Sequence, residues 1–273
     1  MHRKESIVTK WSDDEKRLLN EVLPNVAAQM RSPLGVLYVC MQKLVPPDAP
    51  GAAQMQQSYY QLLRLAGNLS AAELLSRSAR LREQCNDDIV ALCRGLVSQV
   101  QPLAQEKGIA LSFSSDLESH ILNYDRQMMN RLLLNLLSNA LKFTPAGGAV
   151  TVSVQLRGQD VLLTVTDTGC GIAKPLMDTL FDRYLHSERM DPQPHGLGLG
   201  LPLCRAIAEA YGGRIFAESQ VGKGTRVTVA LPDERNVIQQ VRDSAYDYTG
   251  GFNAVMMELS DALSSDAYEK KES

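Results

Sequence analysis

The N-terminal part of the chain shows two apolar stretches with helical spacing. In both, apolar side chains recur at steps of three or four residues, which places them on one face of a helix. The first stretch comprises Val22, Val26, Met30, Leu34, Leu37, Met41 and Leu44, and the second Leu62, Leu65, Leu69, Ala72, Leu75 and Ala79. Between them, VPPDAPG from Val45 to Gly51 predicts a turn. The pattern therefore predicts an antiparallel helical hairpin within residues 1–86.

A single hairpin leaves part of each apolar face without a partner. Two hairpins side by side would bury both faces in a four-helix bundle. The hairpin therefore predicts a homodimer.

After about residue 86 the pattern of apolar residues changes. Stretches with helical spacing now occur together with stretches in which β-branched residues alternate with polar ones. Helices are predicted from Asp88 to Lys107, after Asp125, from Leu176 to Tyr184, and after Gly200. Strands are predicted at IALSF, VTVSVQL, VLLTVTD, RIFAES and TRVTVAL. Residues 87–232 are thus expected to form an α/β sandwich, which makes the whole chain an α+β protein.

The last segment, residues 233–273, is acidic, with nine acidic and four basic side chains. It contains a possible helix with Phe252, Val255, Met256, Leu259 and Leu263 on one face. Two interpretations are open. The helix covers apolar surface on the same chain, or it binds a partner.

Composition excludes several classes of protein. The net charge of −3, from 28 basic and 31 acidic residues, does not suggest a nucleic-acid surface. The apolar runs are too short for a membrane span, and the charged N-terminus does not resemble a signal peptide. Five cysteines without a CxxC spacing are typical of reduced thiols, so we expect a cytoplasmic protein without a zinc site.

Three glycine clusters lie in the predicted sandwich: DTGCGI at Asp167, HGLGLGL at His195 and GKGT at Gly222. Glycine permits positive φ and lets backbone N–H groups approach phosphate oxygens. Each cluster alone is weak evidence, because ordinary turns also need glycine.

The helix before the strands carries a polar stripe of Arg131, Asn135, Asn139 and Lys142. One interpretation is a solvated face. The other is a ligand site, because asparagine is a poor helix former, its amide oxygen suits magnesium, and lysine offers a point charge to phosphate.

The order of these motifs resembles the Bergerat-type ATP-binding domain shared by sensor histidine kinases, heat-shock chaperones and type II topoisomerases. NLLSNALKFTP, DTGCGI, LFDRYL, GLGLGLPLCRAIAEAYGG and GKGT are most similar to the histidine kinases, over residues 87–231. The hairpin is similar to the dimerisation and phosphotransfer domain of those kinases, and VLPNVAAQMRSPL resembles its histidine box.

The resemblance implies a role for individual residues. Asn139 would ligate magnesium with Asn135 beside it, Lys142 would approach a phosphate, and Asp167 would accept a hydrogen bond from the adenine amino group. The other positions implied to surround ATP are Gly169, Gly171, Phe181, Tyr184, Gly196, Gly198, Gly200, Gly222, Gly224 and Thr225.

The chain departs from the family pattern at the phosphate acceptor. The histidine that accepts the phosphate aligns with Ala28, which has no nucleophile, whereas Gln29 and Ser32 fit or nearly fit their positions. We therefore expect self-phosphorylation at this position to fail.

Three functions remain open at this stage. In the first, the chain is a two-component transmitter that binds Mg-ATP for phosphoryl transfer. In the second, it is a pseudokinase that docks either a response-regulator receiver domain or a partner kinase. A serine kinase or an ATP-gated clamp of the same superfamily is the least favoured.

Overall fold

A computed structural model describes residues 22–70, 84–181, 198–234 and 252–269. It confirms the α+β class, with a helical hairpin followed by a two-layer sandwich. The helices are α1 (Leu23–Leu44), α2 (Ala52–Ser70), α3 (Ile89–Glu106), α4 (Arg126–Phe143), α5 (Lys174–Met177), α6 (Gly200–Ala210) and α7 (Ala254–Glu258). The strands are β1 (Cys85–Asp88), β2 (Ala110–Ser115), β3 (Ile121–Tyr124), β4 (Ala149–Arg157), β5 (Asp160–Asp167), β6 (Arg214–Gln220) and β7 (Gly224–Pro232).

The main sheet has five strands in the order β2-β4-β5-β7-β6. Strand β2 pairs in parallel with β4, and the other pairs are antiparallel. Alternate residues of β4 and β5 are buried, which places one face of the sheet against the helices α3, α4 and α6. The period-two pattern of the sequence thus identifies the core face.

Aspartates begin the two long helices of the sandwich. The side chain of Asp88 accepts hydrogen bonds from Val90 N at 2.9 Å and Ala91 N at 3.1 Å at the start of α3. Asp125 does the same for α4, with Gln127 N at 2.9 Å. These caps satisfy backbone donors that have no partner within the helix. They fix where α4, and with it the predicted polar stripe, begins.

The hairpin is less completely buried than the sandwich. In α1 only Ala27 and Leu34 are buried, and they face α2. Several apolar side chains of the first predicted stretch are exposed, namely Val22, Val26, Leu37 and Leu44. Within the described residues of one copy, part of the α1 stripe is therefore uncovered.

Two features differ from the sequence-based expectation. The helix predicted from Leu176 to Tyr184 covers only Lys174–Met177, because Pro175 favours the first turn but none of its residues is buried to support a longer helix. The pair β1–β3 was not predicted. Its strand Cys85–Asp88 is polar and lacks the alternation of apolar and polar residues that marks a strand in sequence. Side-chain hydrogen bonds stabilise it instead: Asp87 accepts from Tyr124 Oη at 3.0 Å and from Arg126 Nη1 at 2.9 Å.

The C-terminal residues 252–269 pack against the rest of the chain, in contact with both α2 and α4. Val255, Met257, Leu259 and Leu263 are buried. Of the two interpretations of this segment, the structure supports the first, a helix that covers surface of its own chain. Among the residues that the structure describes, none of the helices combines the length and apolar character needed to cross a membrane.

Candidate functional site

The glycine clusters approach the asparagine helix at two points: Gly169 lies against Phe143 at its end, and Gly200 lies against Asn135. We refer to the surface between these two contacts, beside the end of β5, as the cleft. We call its two sides the glycine half (Asp167, Gly169, Gly171, Gly224 and Thr225) and the asparagine half (Asn135, Asn139, Lys142, Gly198 and Gly200).

Asp167 ends strand β5 and is the polar centre of the glycine half. Its Oδ1 accepts hydrogen bonds from Gly169 N at 2.8 Å and Thr225 N at 3.1 Å. Burial raises the pKa of this carboxyl, and the two backbone donors oppose that rise. The two donors thereby hold the carboxylate in one orientation.

Glycine is required here because backbone segments approach one another closely. A Cβ on Gly169 would lie 2.4 Å from Phe143 O, one on Gly171 2.1 Å from Gln220 O, and one on Gly224 1.9 Å from Asp167 O. Gly171 and Gly224 also have positive φ, at 68° and 106°. These contacts join the end of α4, the turn after β5 and the β6–β7 turn into a single wall.

Gly222 has a different position in the same wall. Its φ is 78°, and a Cβ there would contact nothing within 4 Å. Its N–H donates to Cys170 O at 2.8 Å. Gly222 therefore shapes the β6–β7 turn by its conformation rather than by a close approach.

The asparagine half is made by one face of α4 and the start of α6. Asn135 is 0% exposed, and Asn139 and Lys142 are half-buried. A Cβ on Gly200 would lie 2.9 Å from Asn135 Oδ1, so α6 begins directly against the amide. Gly198, just before α6, has a φ of 66°. The interpretation of the stripe as a solvated face is therefore wrong for Asn135, and also for Arg131, which is buried.

Asn135 is engaged by side chains from outside the cleft. Its Oδ1 accepts from Arg64 Nη2 at 3.3 Å, and its Nδ2 donates to Arg131 O at 2.9 Å and to Glu258 Oε2 at 3.4 Å. Arg64 belongs to the hairpin, and Glu258 to the C-terminal segment. We call this group of six residues the junction cluster: Arg64, Asn68, Arg131, Asn135, Glu258 and Asp261.

Lys142 lies one turn beyond Asn139 on α4, and charges of the junction cluster act on its ammonium group. Burial lowers the pKa of its ammonium group, the Asp261 carboxylate opposes the shift, and Arg64 adds to it. Amide oxygens next to an ammonium group can hold a phosphate and the magnesium ion that accompanies it.

The structure brings most of the predicted positions to this cleft, but not all. Phe181 is half-buried in the turn that follows α5. Tyr184 and Gly196 lie outside the described residues. Ala28, Gln29 and Ser32 are exposed on α1, in the hairpin.

Sequence reasoning missed Arg64, Glu258 and Asp261. Each is a charged residue that belongs to no recognisable motif. The acidity of the C-terminal segment was a sequence signal for Glu258 and Asp261, but not for Arg64.

Comparison with known proteins agrees with this architecture. Residues 124–235 match the family described as histidine kinase-, DNA gyrase B- and HSP90-like ATPases. The adaptive-response sensory kinase SasA of Gloeothece citriformis is 28% identical over 232 residues, which cover 80% of this chain and 59% of SasA. The chain therefore spans less than two thirds of that relative.

Solved structures show the same fold. ShkA, crystallised at full length in complex with AMPPNP, is 27% identical with a TM-score of 0.64, covering 78% of this chain and 46% of ShkA. ThkA, crystallised with the response regulator protein TrrA, has a TM-score of 0.55 at 22% identity, over 81% of this chain and 65% of ThkA. The second likeness concerns the fold alone.

Proposed function

We propose a function from one premise: the chain is a transmitter region of the sensor histidine kinase type, and it carries the ATP-binding domain of that family. The proposal is that the cleft binds Mg-ATP in a two-component signalling protein. The observation that carries it is the fixed, half-buried carboxylate of Asp167 within a wall of closely approaching glycines.

The residues of both halves suit this ligand. Asp167 Oδ1 is committed to backbone donors, so a ligand amino group would bind at the outer side of the same carboxylate. Asn139, with Asn135 one turn earlier, offers amide oxygens of the kind that magnesium prefers. Lys142 adds a positive charge for a phosphate. Magnesium would supply neutralisation of phosphate charge, which is the main requirement of phosphoryl transfer.

Titration calorimetry of the full chain with Mg-ATP and Mg-ADP tests the site. We expect Asp167→Asn to weaken binding at least about tenfold, because a hydrogen bond to a charged group contributes roughly 1.5–3 kcal/mol. Asn139→Ala should also weaken the binding of Mg-ATP.

Asp160→Asn is the matched control, since Asp160 begins the same strand and pairs with Arg214 at 2.7 Å, away from the cleft. Its affinity should equal that of the natural chain. Unchanged affinity in both site variants would refute the assignment.

We further propose that the chain does not phosphorylate itself at the usual position. Ala28 is exposed on α1 together with Asn25 and Ser32, so packing does not explain an alanine there. Radiolabelled ATP should leave no acid-labile phosphate on the natural chain, whereas Ala28→His should acquire it if the cleft is competent for transfer. Label on the natural chain would contradict this proposal.

The exposed apolar residues of α1 support a homodimer. Val22, Val26, Leu37 and Leu44 would lie in a four-helix bundle with a second copy. Light scattering should give twice the 30.0 kDa chain mass, and Leu37→Lys should shift the protein towards the monomer.

A second function is a pseudokinase that uses ATP as a conformational ligand and docks a receiver domain or a partner kinase. The alanine at position 28 favours it. The Ala28→His experiment separates the two, because a pseudokinase with a non-catalytic cleft would bind nucleotide but acquire no label.

A further inference from the structure

Residues 252–269, which we call the tail segment, lie where the hairpin and the ATP-binding domain meet. The Phe252 ring packs edge-on against Tyr38, with centroids 4.8 Å apart, and against Tyr59 at 5.6 Å. At the other end, Tyr268 packs against Tyr60 at 5.5 Å. Aromatic anchors thus hold both ends of the tail segment on the hairpin.

Polar contacts attach its middle to both parts of the molecule. Gln57 Nε2, from the hairpin, donates to Leu263 O at 2.7 Å. Lys107, from the sandwich, donates to Ala262 O and, at 3.0 Å, to Leu141 O near the end of α4. The tail segment therefore bridges the hairpin and α4.

The junction cluster lies between these anchors. Glu258 is 0% exposed, with Oε2 3.5 Å from Arg64 Nε and Oε1 3.6 Å from Arg131 Nε. Asp261 pairs with Arg64 Nη1 at 2.7 Å. Two carboxylates of the tail segment therefore balance two guanidinium groups at the edge of the asparagine half.

These carboxylates act on Asn135 and Lys142, two of the residues to which the proposed function assigns magnesium and phosphate. Glu258 contacts the amide of Asn135, which itself borders Gly200 at the start of α6. The Asp261 carboxylate acts to raise the pKa of the Lys142 ammonium group, against the effect of burial. While the tail segment is docked, its two carboxylates engage the guanidinium groups of Arg64 and Arg131, and a polyphosphate brought to the same residues would have to compete with them for these cations.

We propose that the tail segment is an internal competitor of the nucleotide, so that docking of the tail segment and binding of Mg-ATP oppose each other. The inference rests on the proposed function and adds a form of regulation to it. While docked, the tail segment engages Asn135 through Glu258 and ties α4 to the hairpin.

The chemistry of the cluster suits a reversible contact. A buried ion pair gains little net stability, because the loss of solvation offsets most of the attraction. The 3.5 and 3.6 Å separations at Glu258 are longer than those of charge-assisted hydrogen bonds. The cluster therefore specifies the docked position without making release prohibitive.

Two variants of the full chain release the tail segment in different ways. Glu258→Gln removes one negative charge from the cluster, and Phe252→Ala removes an aromatic anchor without any change of charge. Both should tighten Mg-ATP binding by about fivefold or more, within the range of allosteric coupling. The second variant shows that a gain does not merely reflect altered charge beside the phosphates.

Matched controls are available for both. Glu269→Gln makes the same charge change at the exposed end of the tail segment, and Phe216→Ala removes an exposed ring from β6. Neither should alter affinity by more than about twofold.

Hydrogen exchange provides a readout that does not depend on activity. Because coupling is reciprocal, saturating Mg-ATP should accelerate exchange of residues 254–263 in the natural chain. If Mg-ATP leaves this exchange unchanged and both release variants bind like the natural chain, the competitor proposal is wrong. The proposed function still stands in that case, provided that Asp167→Asn weakens binding.

Two further outcomes bear on both proposals. A natural chain that binds weakly or not at all, with release variants that bind, supports both proposals. If neither the natural chain nor a release variant binds nucleotide, both proposals fail.

Discussion

In the glycine half of the cleft, backbone groups from three segments contact one another, and the Asp167 side chain accepts hydrogen bonds from two backbone N–H groups. In the asparagine half, long charged side chains from the hairpin, α4 and the tail segment meet around Asn135. The first half is held by close backbone approaches that only glycine permits. The second is held by ion pairs and hydrogen bonds between side chains of three separate segments. The comparison indicates that one side of the cleft is a fixed template and that the other is where control can act.

The largest expected effect tests the rigidity of the glycine half. Gly224→Ala would place a Cβ 1.9 Å from Asp167 O at a φ of 106°. Because neither backbone can move without breaking the β5–β7 pairing, we expect a loss of about 4 kcal/mol in the free energy of unfolding, measured in urea.

Gly158→Ala is the control for conformation alone. Gly158 also has a positive φ, 63°, but its Cβ would contact nothing within 4 Å. Gly158→Ala should lower the free energy of unfolding by about 1–2 kcal/mol, because alanine is less stable than glycine in the left-handed region. Equal losses for the two variants would mean that the close approach contributes nothing.

The next effect concerns the ion pairs of the other half. Arg131→Met leaves the buried Glu258 with only Arg64 as a cationic partner, and we expect about 3 kcal/mol of destabilisation. Replacing both Arg131 and Glu258 by methionine removes one charge of each sign and should restore most of the loss. Urea unfolding of the two single variants and the double variant measures the coupling energy.

Since the competitor proposal has the tail segment undock, it predicts that part of this loss appears as faster hydrogen exchange in residues 254–263 rather than as global unfolding. A double variant as unstable as the sum of the single variants would exclude coupling between the two residues.

The two halves also differ in how far the sequence predicted them. The helix α4 follows directly from its Asp125 cap and apolar spacing, and the sheet from alternation in β4 and β5. These signals are local, because one element carries the whole pattern. The glycine clusters were identified for the same reason, although sequence could not tell which glycines avoid a clash, as Gly224 does, and which only adopt positive φ, as Gly222 does.

The junction cluster could not be predicted in this way. Arg64 and Asn135 are 71 positions apart, and Glu258 lies 123 positions beyond Asn135. Burial of Arg131 and Asn135 follows from the docking of two other segments, and no periodicity within α4 encodes it. The apolar face of the tail segment predicted a docking helix but not the surface that receives it.

A smaller effect is expected at Asp88, which lies outside both halves. Asp88→Ala removes the α3 cap and should cost about 1 kcal/mol, whereas Asp88→Asn should keep most of the cap. Burial acts to raise the pKa of this carboxyl, but hydrogen bonds from His120 N, the Ser119 side chain, Ala91 N and Val90 N outweigh it and leave the pKa lowered. Its stabilisation is therefore present above the ordinary aspartate pKa and is lost as the pH falls through the lowered value.

Urea unfolding of the natural chain and the two Asp88 variants between acidic and neutral pH checks this. The pH dependence should become shallower in both variants, and Mg-ATP affinity should not change. A change in affinity would show that α3 is coupled to the cleft.

The smallest stability effect is expected at Asp167, and its sign is opposite to that at Asp88. Burial raises the pKa of the Asp167 carboxyl above its ordinary value. The contribution of this group to stability is therefore fully present below the ordinary pKa and is lost as the pH rises through the raised one. At neutral pH the Asp167→Asn variant, whose amide oxygen still accepts from Gly169 N and Thr225 N, should unfold at a slightly higher urea concentration than the natural chain. The gain should shrink as the pH falls and the natural carboxyl becomes protonated. A variant that is less stable than the natural chain at neutral pH would instead show that the charge on Asp167 strengthens the wall of the glycine half, so that the carboxylate supports the fold as well as a ligand.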